Sequence, residues 1–187
     1  MPNEKINPIA EQSKTWLIEA LLELMKHKTY SQITISEIAE KAQLARRTFY
    51  RNFKSKDEVL NGYVQKLCEE YIERLQAEPT LTVYNMAKVY FTFWEKHMDF
   101  LMRLENNDLL HLLLQKYNQY LPVIHRTVVP LTEPGPHTAM AKYIMAFSAG
   151  GFWNSLIQWI REERREAPEQ MAQFVSMIIN ETILEKY

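Results

Sequence analysis

A chain of 187 residues with a net charge of −1, 47% hydrophobic and 24% charged residues is long enough for one large domain or two modest ones, and its composition is that of an ordinary globular protein. One cysteine, Cys68, excludes an internal disulfide, and only four glycines beside abundant Leu, Glu, Lys, Gln and Met point to helices rather than hairpins. The first residues lack the basic-then-apolar pattern of a signal peptide and no apolar run reaches bilayer length, so a cytoplasmic location without membrane attachment is expected.

In chain order, the first helix is expected from about Asn7 to Lys28, with Trp16, Leu17, Ala20, Leu21, Leu24 and Met25 at the spacing of one helical face. "HKTYSQI" interrupts that pattern. Thr34 and Glu37 then form a capping box, which opens a short helix whose apolar side is Ile35, Ile38, Ala39 and Ala42. After a turn at Gln43–Leu44, "ARRTFYRNF" has room for two helical turns; Phe49 and Phe53 lie four residues apart and point inward, leaving Arg46, Arg47, Thr48, Tyr50 and Arg51 outside. Ser55 and Glu58 make a second capping box for a long helix through Val59, Leu60, Tyr63, Leu67, Tyr71 and Leu75, and Pro79 and Thr80 end it.

The rest reads as helices. One is expected from Leu81 to about Leu104, carrying Tyr84, Phe91, Trp94, Met98 and Leu101, and a leucine-dense one from Leu109 to Tyr117. A short element begins at Pro122, and "PLTEPGPHT" reads as an irregular loop. A long helix from about Thr138 to Arg165 and a last one from Pro168 to Lys186 complete an all-α fold of about nine helices.

Charge is distributed unevenly. Residues 1–66 carry eleven Lys/Arg against eight Asp/Glu, and residues 67–187 carry eleven against fifteen. The sixteen positions from Lys41 to Lys56 hold six basic residues and no acidic one. A basic end on an acidic body suits a protein that binds a polyanion at that end.

Two short helices joined by a tight turn, the second basic on its outer face, describe a helix-turn-helix, whose second helix can enter the major groove of B-DNA. Arg46 and Arg47 can pair with guanine or reach phosphate, and Thr48 and the methyl of Ala45 can meet a base edge or a thymine methyl. Tyr50, Arg51, Lys54 and Lys56 belong to the same basic surface; Tyr50, Lys54 and Lys56 suit phosphate, which fixes register, and Thr34 offers a hydroxyl and helix-end amides to another phosphate. "TISEIAEKAQLARRTFYRNFKSKDEVL" resembles the DNA-binding segment of the tetracycline-repressor (TetR/AcrR-like) family of bacterial transcription regulators, closely from about Tyr30 to Tyr63. Two positions depart from the family pattern: Gln43 stands where the turn usually has Gly, and Ala45 where the recognition helix usually has a Ser or Thr cap.

The resemblance implies a helix-turn-helix DNA-binding domain at 1–56 (motif about 34–53), a connecting fourth helix at 57–80, and a ligand-binding and dimerisation domain at 81–187. It further implies a homodimer that reads a near-palindromic double-stranded operator and, as a repressor, leaves it when a small-molecule effector binds. The expected interface lies on the last two helices at Phe147, Gly151, Asn154, Met171, Phe174, Val175 and Ile178, within apolar stripes that also contain Met140, Tyr143 and Ile144. Phe91, Trp94, His97, Met98, Tyr117, Tyr120 and Met145 offer the aromatic and polarisable surface of an effector pocket, a mixture that lines ordinary cores as well.

No cofactor is expected. His97, His111 and His125 recur every fourteen residues without the i, i+3 or i+4 spacing of a helical metal pair, so no metal site is expected either. The chain has no phosphate-binding glycine loop, nucleophile elbow or HExxH motif, and it does not read as an enzyme. Two other readings stay open: control by a protein partner instead of a small ligand, and a helical small-molecule-binding protein with an incidental basic patch.

Overall fold

The computed structural model describes residues 8–128, 138–163 and 165–180. The predicted loop at 130–137 and the tail of the last helix at 181–186 lie outside the described residues, as do the side chains of His125 and Met140. Among the described residues there are nine α-helices, one 3-10 turn and no strand. They form two compact units, residues 1–67 and 68–187, which divide inside the fourth helix.

In the first unit, α1 (Pro8–Leu24) buries Leu17, Ala20 and Leu21, and Met25 follows them into the core. Trp16, expected on that face, is instead 44% exposed. The interrupting segment becomes a 3-10 turn, Tyr30–Gln32, with Tyr30 buried. Thr34 caps α2 (Ile35–Lys41): its hydroxyl accepts from the Glu37 amide at 3.3 Å, and its own amide donates to Glu37 Oε2 at 2.9 Å. Reciprocal capping satisfies donors that the first turn leaves free.

Helix α2 closes in a Schellman motif. The Gln43 amide bonds Glu40 O at 2.9 Å and the Leu44 amide bonds Ala39 O at 2.9 Å, with Gln43 in the left-handed region at φ 56°. This is the turn that aims α3 (Arg46–Asn52). The first three helices touch one another pairwise, and Phe49, Phe53, Ile38 and Ala39 are buried between them. Helix α4 (Lys56–Gln76) begins beneath them with Val59, Leu60 and Val64 buried.

The second unit starts within α4, where Cys68, Tyr71, Ile72 and Leu75 are buried. Burial pushes the Cys68 thiol up to about 12, which leaves it inert at neutral pH. The single helix expected from Leu81 to Leu104 is two, α5 (Val83–Lys96) and α6 (Met98–Asn106). They break at His97, whose backbone leaves the helical region at φ −108°, ψ 19° while its ring lies against Phe93 at 4.7 Å. A second Schellman motif, with Asp108 at φ 56°, ends α6.

Helix α7 (Leu110–Val128) runs straight through Pro122, where a new element was expected. Both Pro122 and Asn118, whose carbonyl loses its partner to the proline, are exposed, so that carbonyl is open to solvent. Helix α8 (Thr138–Arg161) ends four residues before the expected Arg165, because the Arg165 side chain turns back to donate to Trp159 O at 3.2 Å and Ile160 O at 2.8 Å. Helix α9 (Pro168–Asn180) lies along α5 with Ala172 and Val175 buried, and Lys88 pairs with Glu169 at 3.2 Å. No described helix is long and apolar enough to cross a membrane.

Gln43→Gly is expected to stabilise the chain by about 1 kcal/mol, because glycine enters the left-handed region without the Cβ clash. A raised urea midpoint at unchanged slope is the signature; a lowered midpoint would show that the glutamine side chain contributes more than its backbone costs.

Candidate nucleic-acid interface

The interface is built on a helix too short to choose its own orientation. Phe49 is wholly buried and stacks toward Phe53 with ring centroids 6.2 Å apart, so the opposite side of α3 has to face solvent. Arg46, Arg47 and Arg51 are exposed there, Tyr50 is 50% exposed, and Thr48 is half-buried. No side chain caps α3 at Ala45; its carbonyl accepts from the Thr48 amide at 2.7 Å and the Phe49 amide at 3.4 Å, which tightens the first turn. Asn52 donates to Thr48 O at 2.8 Å, fixing the helix end.

Within this helix the basic residues differ. The Arg46 Nη2 donates to the Tyr50 hydroxyl at 3.2 Å and its guanidinium lies 5.6 Å from that ring's centre. Among the described residues, the Arg47, Arg51 and Lys54 side chains make no hydrogen bond or ion pair. The Lys54 amide, by contrast, donates to the Glu58 carboxylate, while the Glu58 amide donates to Ser55 Oγ at 3.2 Å. The expected capping box therefore closes one residue earlier on its carboxylate side.

Two residues expected at phosphate are occupied elsewhere. The Lys56 ammonium donates to three carbonyls, Tyr30 O at 2.6 Å, Ile33 O at 2.9 Å and Ser31 O at 3.1 Å, and sits 4.6 Å over the Tyr30 ring. The Tyr30 hydroxyl donates to Asp57 Oδ1 at 2.6 Å; burial and the Asp57 charge push that phenol well above its ordinary range. Lys56 and Asp57 thus clamp the start of α4 onto the 3-10 turn. Thr34 is similarly engaged, its amide and hydroxyl both donating to Glu37 Oε2. Lys28, 2.6 Å from Glu37, and those Thr34 groups hold the Glu37 carboxyl down at about 2 from its ordinary 4.5.

In the second unit, five of the seven expected interface residues line one open groove along α8 and α9: Asn154, Met171, Phe174, Val175 and Ile178, around about 550 Å³ of space. Val175 forms its buried floor. Phe147 (78% exposed) and Gly151 lie on the exposed side of α8, and nothing stands within 4 Å of a Cβ built on Gly150 or Gly151. Among the described residues these two glycines make no close approach to another element.

The expected pocket residues divide. Phe91, Trp94 and Tyr117 converge on Tyr90, with centroids 5.3, 6.4 and 6.4 Å from its ring, and His97 abuts Trp94 at 6.4 Å. Tyr90 and Phe152, 5.1 Å apart, complete this cluster and were not singled out in the sequence, although Tyr90 falls on the buried face of α5. The buried Trp94 Nε1 faces the Tyr90 phenol, though among the described residues it makes no hydrogen bond of good geometry. Tyr120 lies apart, donating to Glu69 at 3.1 Å, and Met98 and Met145 are half-buried.

Two family profiles match the chain: one described as bacterial regulatory proteins of the tetR family, over residues 17–63, and one described as a transcriptional regulator C-terminal region, over residues 81–181. The HTH-type transcriptional regulator AlkX of Mycobacterium tuberculosis is 28% identical over 87 residues, which is 44% of this chain and 41% of that protein. The chain's matches span less than half the length of its curated relatives, 41%, 26% and 30%. Among solved structures, the fatty acid degradation regulator FadR from Bacillus halodurans has a TM-score of 0.66 at 16% identity, covering 94% of this chain and 96% of that one. FadR from Bacillus subtilis, in complex with stearoyl-CoA, has a TM-score of 0.57 at 17% identity, covering 88% and 96%. At such identities the likeness is one of fold.

Lys56→Met is expected to lower the unfolding free energy by about 2 kcal/mol, the size of a hydrogen-bonded charge lost from part-buried carbonyls. Urea titration reads it directly. An unmoved midpoint would mean that those carbonyls are satisfied without the ammonium.

Proposed function

The chain belongs to the TetR family of bacterial regulatory proteins, DNA-binding transcriptional regulators rather than enzymes, and on that premise we propose that it is a homodimeric repressor released from a near-palindromic operator by a small effector. The observation that carries this reading is α3, whose outer face holds Arg46, Arg47 and Arg51 while Phe49 and Phe53 lock its inner face. A short helix fixed from behind and basic in front suits the major groove. Ala45, Thr48, Tyr50 and Lys54 complete the proposed contact surface; Thr34 and Lys56 support it from behind, since their polar groups are engaged within the unit.

The dimer reading is supported by the exposed apolar residues of α8 and α9. Phe147 and Ile178 (78% and 53% exposed) accompany Phe174, Met177 and Ile179 on helices whose other sides are buried. Exposed apolar surface of this kind marks a protein interface more often than a solvated one. Two copies of α3 set about one helical turn (~34 Å) apart would read an inverted repeat. Repression asks for nothing beyond occupancy of that site.

For the effector, the neighbouring FadR from Bacillus subtilis in complex with stearoyl-CoA supports a ligand with an apolar body. In this chain the rings around Tyr90 are buried against one another, so an effector with an apolar body would enter by parting them. Release requires the effector to bind the free and operator-bound states with different affinity.

Sedimentation of the full chain is expected to give a dimer at micromolar concentration. Phe147→Lys combined with Ile178→Lys should sediment as a monomer, keep its helical circular dichroism, and bind operator about a thousandfold or more weakly, near the non-specific level. A wild-type monomer with full operator affinity would contradict the dimer.

A further inference from the structure

We propose that Arg46 and Tyr50 form one phosphate clamp, and that Arg47 is the arginine of α3 that reads a base. The inference rests on the DNA-binding reading above and divides the labour within that surface. Arg46 and Tyr50 stand four residues apart on α3, joined by the 3.2 Å hydrogen bond from Nη2 to the phenol oxygen, with the guanidinium 5.6 Å from the ring centre. The ring is held: Tyr50 meets the fully buried Phe49 edge-on, centroids 5.6 Å apart at 80°. A half-exposed ring resting on a buried one therefore draws the arginine back along the helix.

Two consequences follow from donor chemistry. A guanidinium carries several N–H donors and no acceptor, and once the Tyr50 oxygen accepts from Arg46 its own O–H is directed outward. The pair thus points donors from two side chains at one place, a convergence that suits the several oxygens of a single phosphate. Second, base edges are read by the residues at the N-terminal tip of a recognition helix. Arg46, drawn toward Tyr50, leaves that tip to Arg47, which is exposed and makes no hydrogen bond or ion pair among the described residues. Arg51, one turn further along from Arg47, sits in the last turn and remains a backbone contact. With Lys56 and Thr34 engaged internally, the clamp also supplies anchoring that those two do not.

The test uses the full chain and the consensus duplex that the wild type selects from random sequence, with single-base variants of it and a salt titration. Arg46→Ala is expected to weaken binding about tenfold on every duplex alike, with the slope of log affinity on log salt reduced by about 1. Tyr50→Phe should weaken binding in the same sequence-blind way. The double variant should fall little below Arg46→Ala alone, because the two groups act as one. Arg47→Ala should instead relax discrimination at one base pair of each half-site by about tenfold or more, with other positions retained.

Additive losses from Arg46→Ala and Tyr50→Phe would overturn the shared clamp. Relaxed base preference in Arg46→Ala, with a sequence-blind loss in Arg47→Ala, would overturn the assignment while leaving DNA binding intact. A wild type that selects no duplex at all would remove the DNA-binding reading and this proposal together.

Discussion

Seven residues do not make a self-sufficient helix, and isolated helices shorter than about 12–15 residues are marginal in water. Helix α3 exists because Phe49 and Phe53 are sunk beneath it. Burying a phenylalanine contributes about 1.5–3 kcal/mol. Set against that pair are about 1 kcal/mol for the missing cap at Ala45, about 1 kcal/mol for the left-handed Gln43, and a few tenths for the like-charged Arg47–Arg51 spacing. The basic face is therefore a consequence of the buried face, and every functional statement about the first unit depends on those two rings.

The five basic residues from Arg46 to Lys56 look alike in composition but fall into three physical classes. Lys56 is spent internally, holding the end of a 3-10 turn against the start of α4. Arg46 is half-committed, tied to an aromatic ring that rests on the buried Phe49. Arg47, Arg51 and Lys54 face solvent with their side chains unengaged. A surface of this kind places some charge with precision and leaves the remainder adaptable, which suits a partner whose backbone is uniform and whose edges vary.

Local pattern carried the first unit well. The Thr34–Glu37 box, the length of the turn and the inward Phe49–Phe53 pair are all interactions between residues within a few positions of one another, and periodicity exposes them. What stayed hidden was longer in range or lacked a local marker. The Lys56 clamp joins residues more than twenty positions apart, so in the sequence it could only look like another phosphate-binding lysine. The break at His97 has no proline or glycine to announce it, and Pro122, which is such a marker, sits inside a continuous helix where it and Asn118 are exposed. Trp16 shows the complementary error: the right period for burial, but a position at the margin of the apolar stripe. In the second unit the apolar stripes of α8 and α9 were legible, whereas the arrangement of rings around Tyr90 depends on how α5, α7 and α8 meet.

Selection of random duplex DNA by the full chain is the decisive measurement for a dimeric DNA reader. A near-palindromic sequence should be enriched, with half-site centres about one helical turn (~34 Å) apart, and bound far more weakly as salt rises from roughly 50 to 200 mM. Recovery of no preferred sequence, or of a single asymmetric site with salt-insensitive binding, would contradict a dimeric reader.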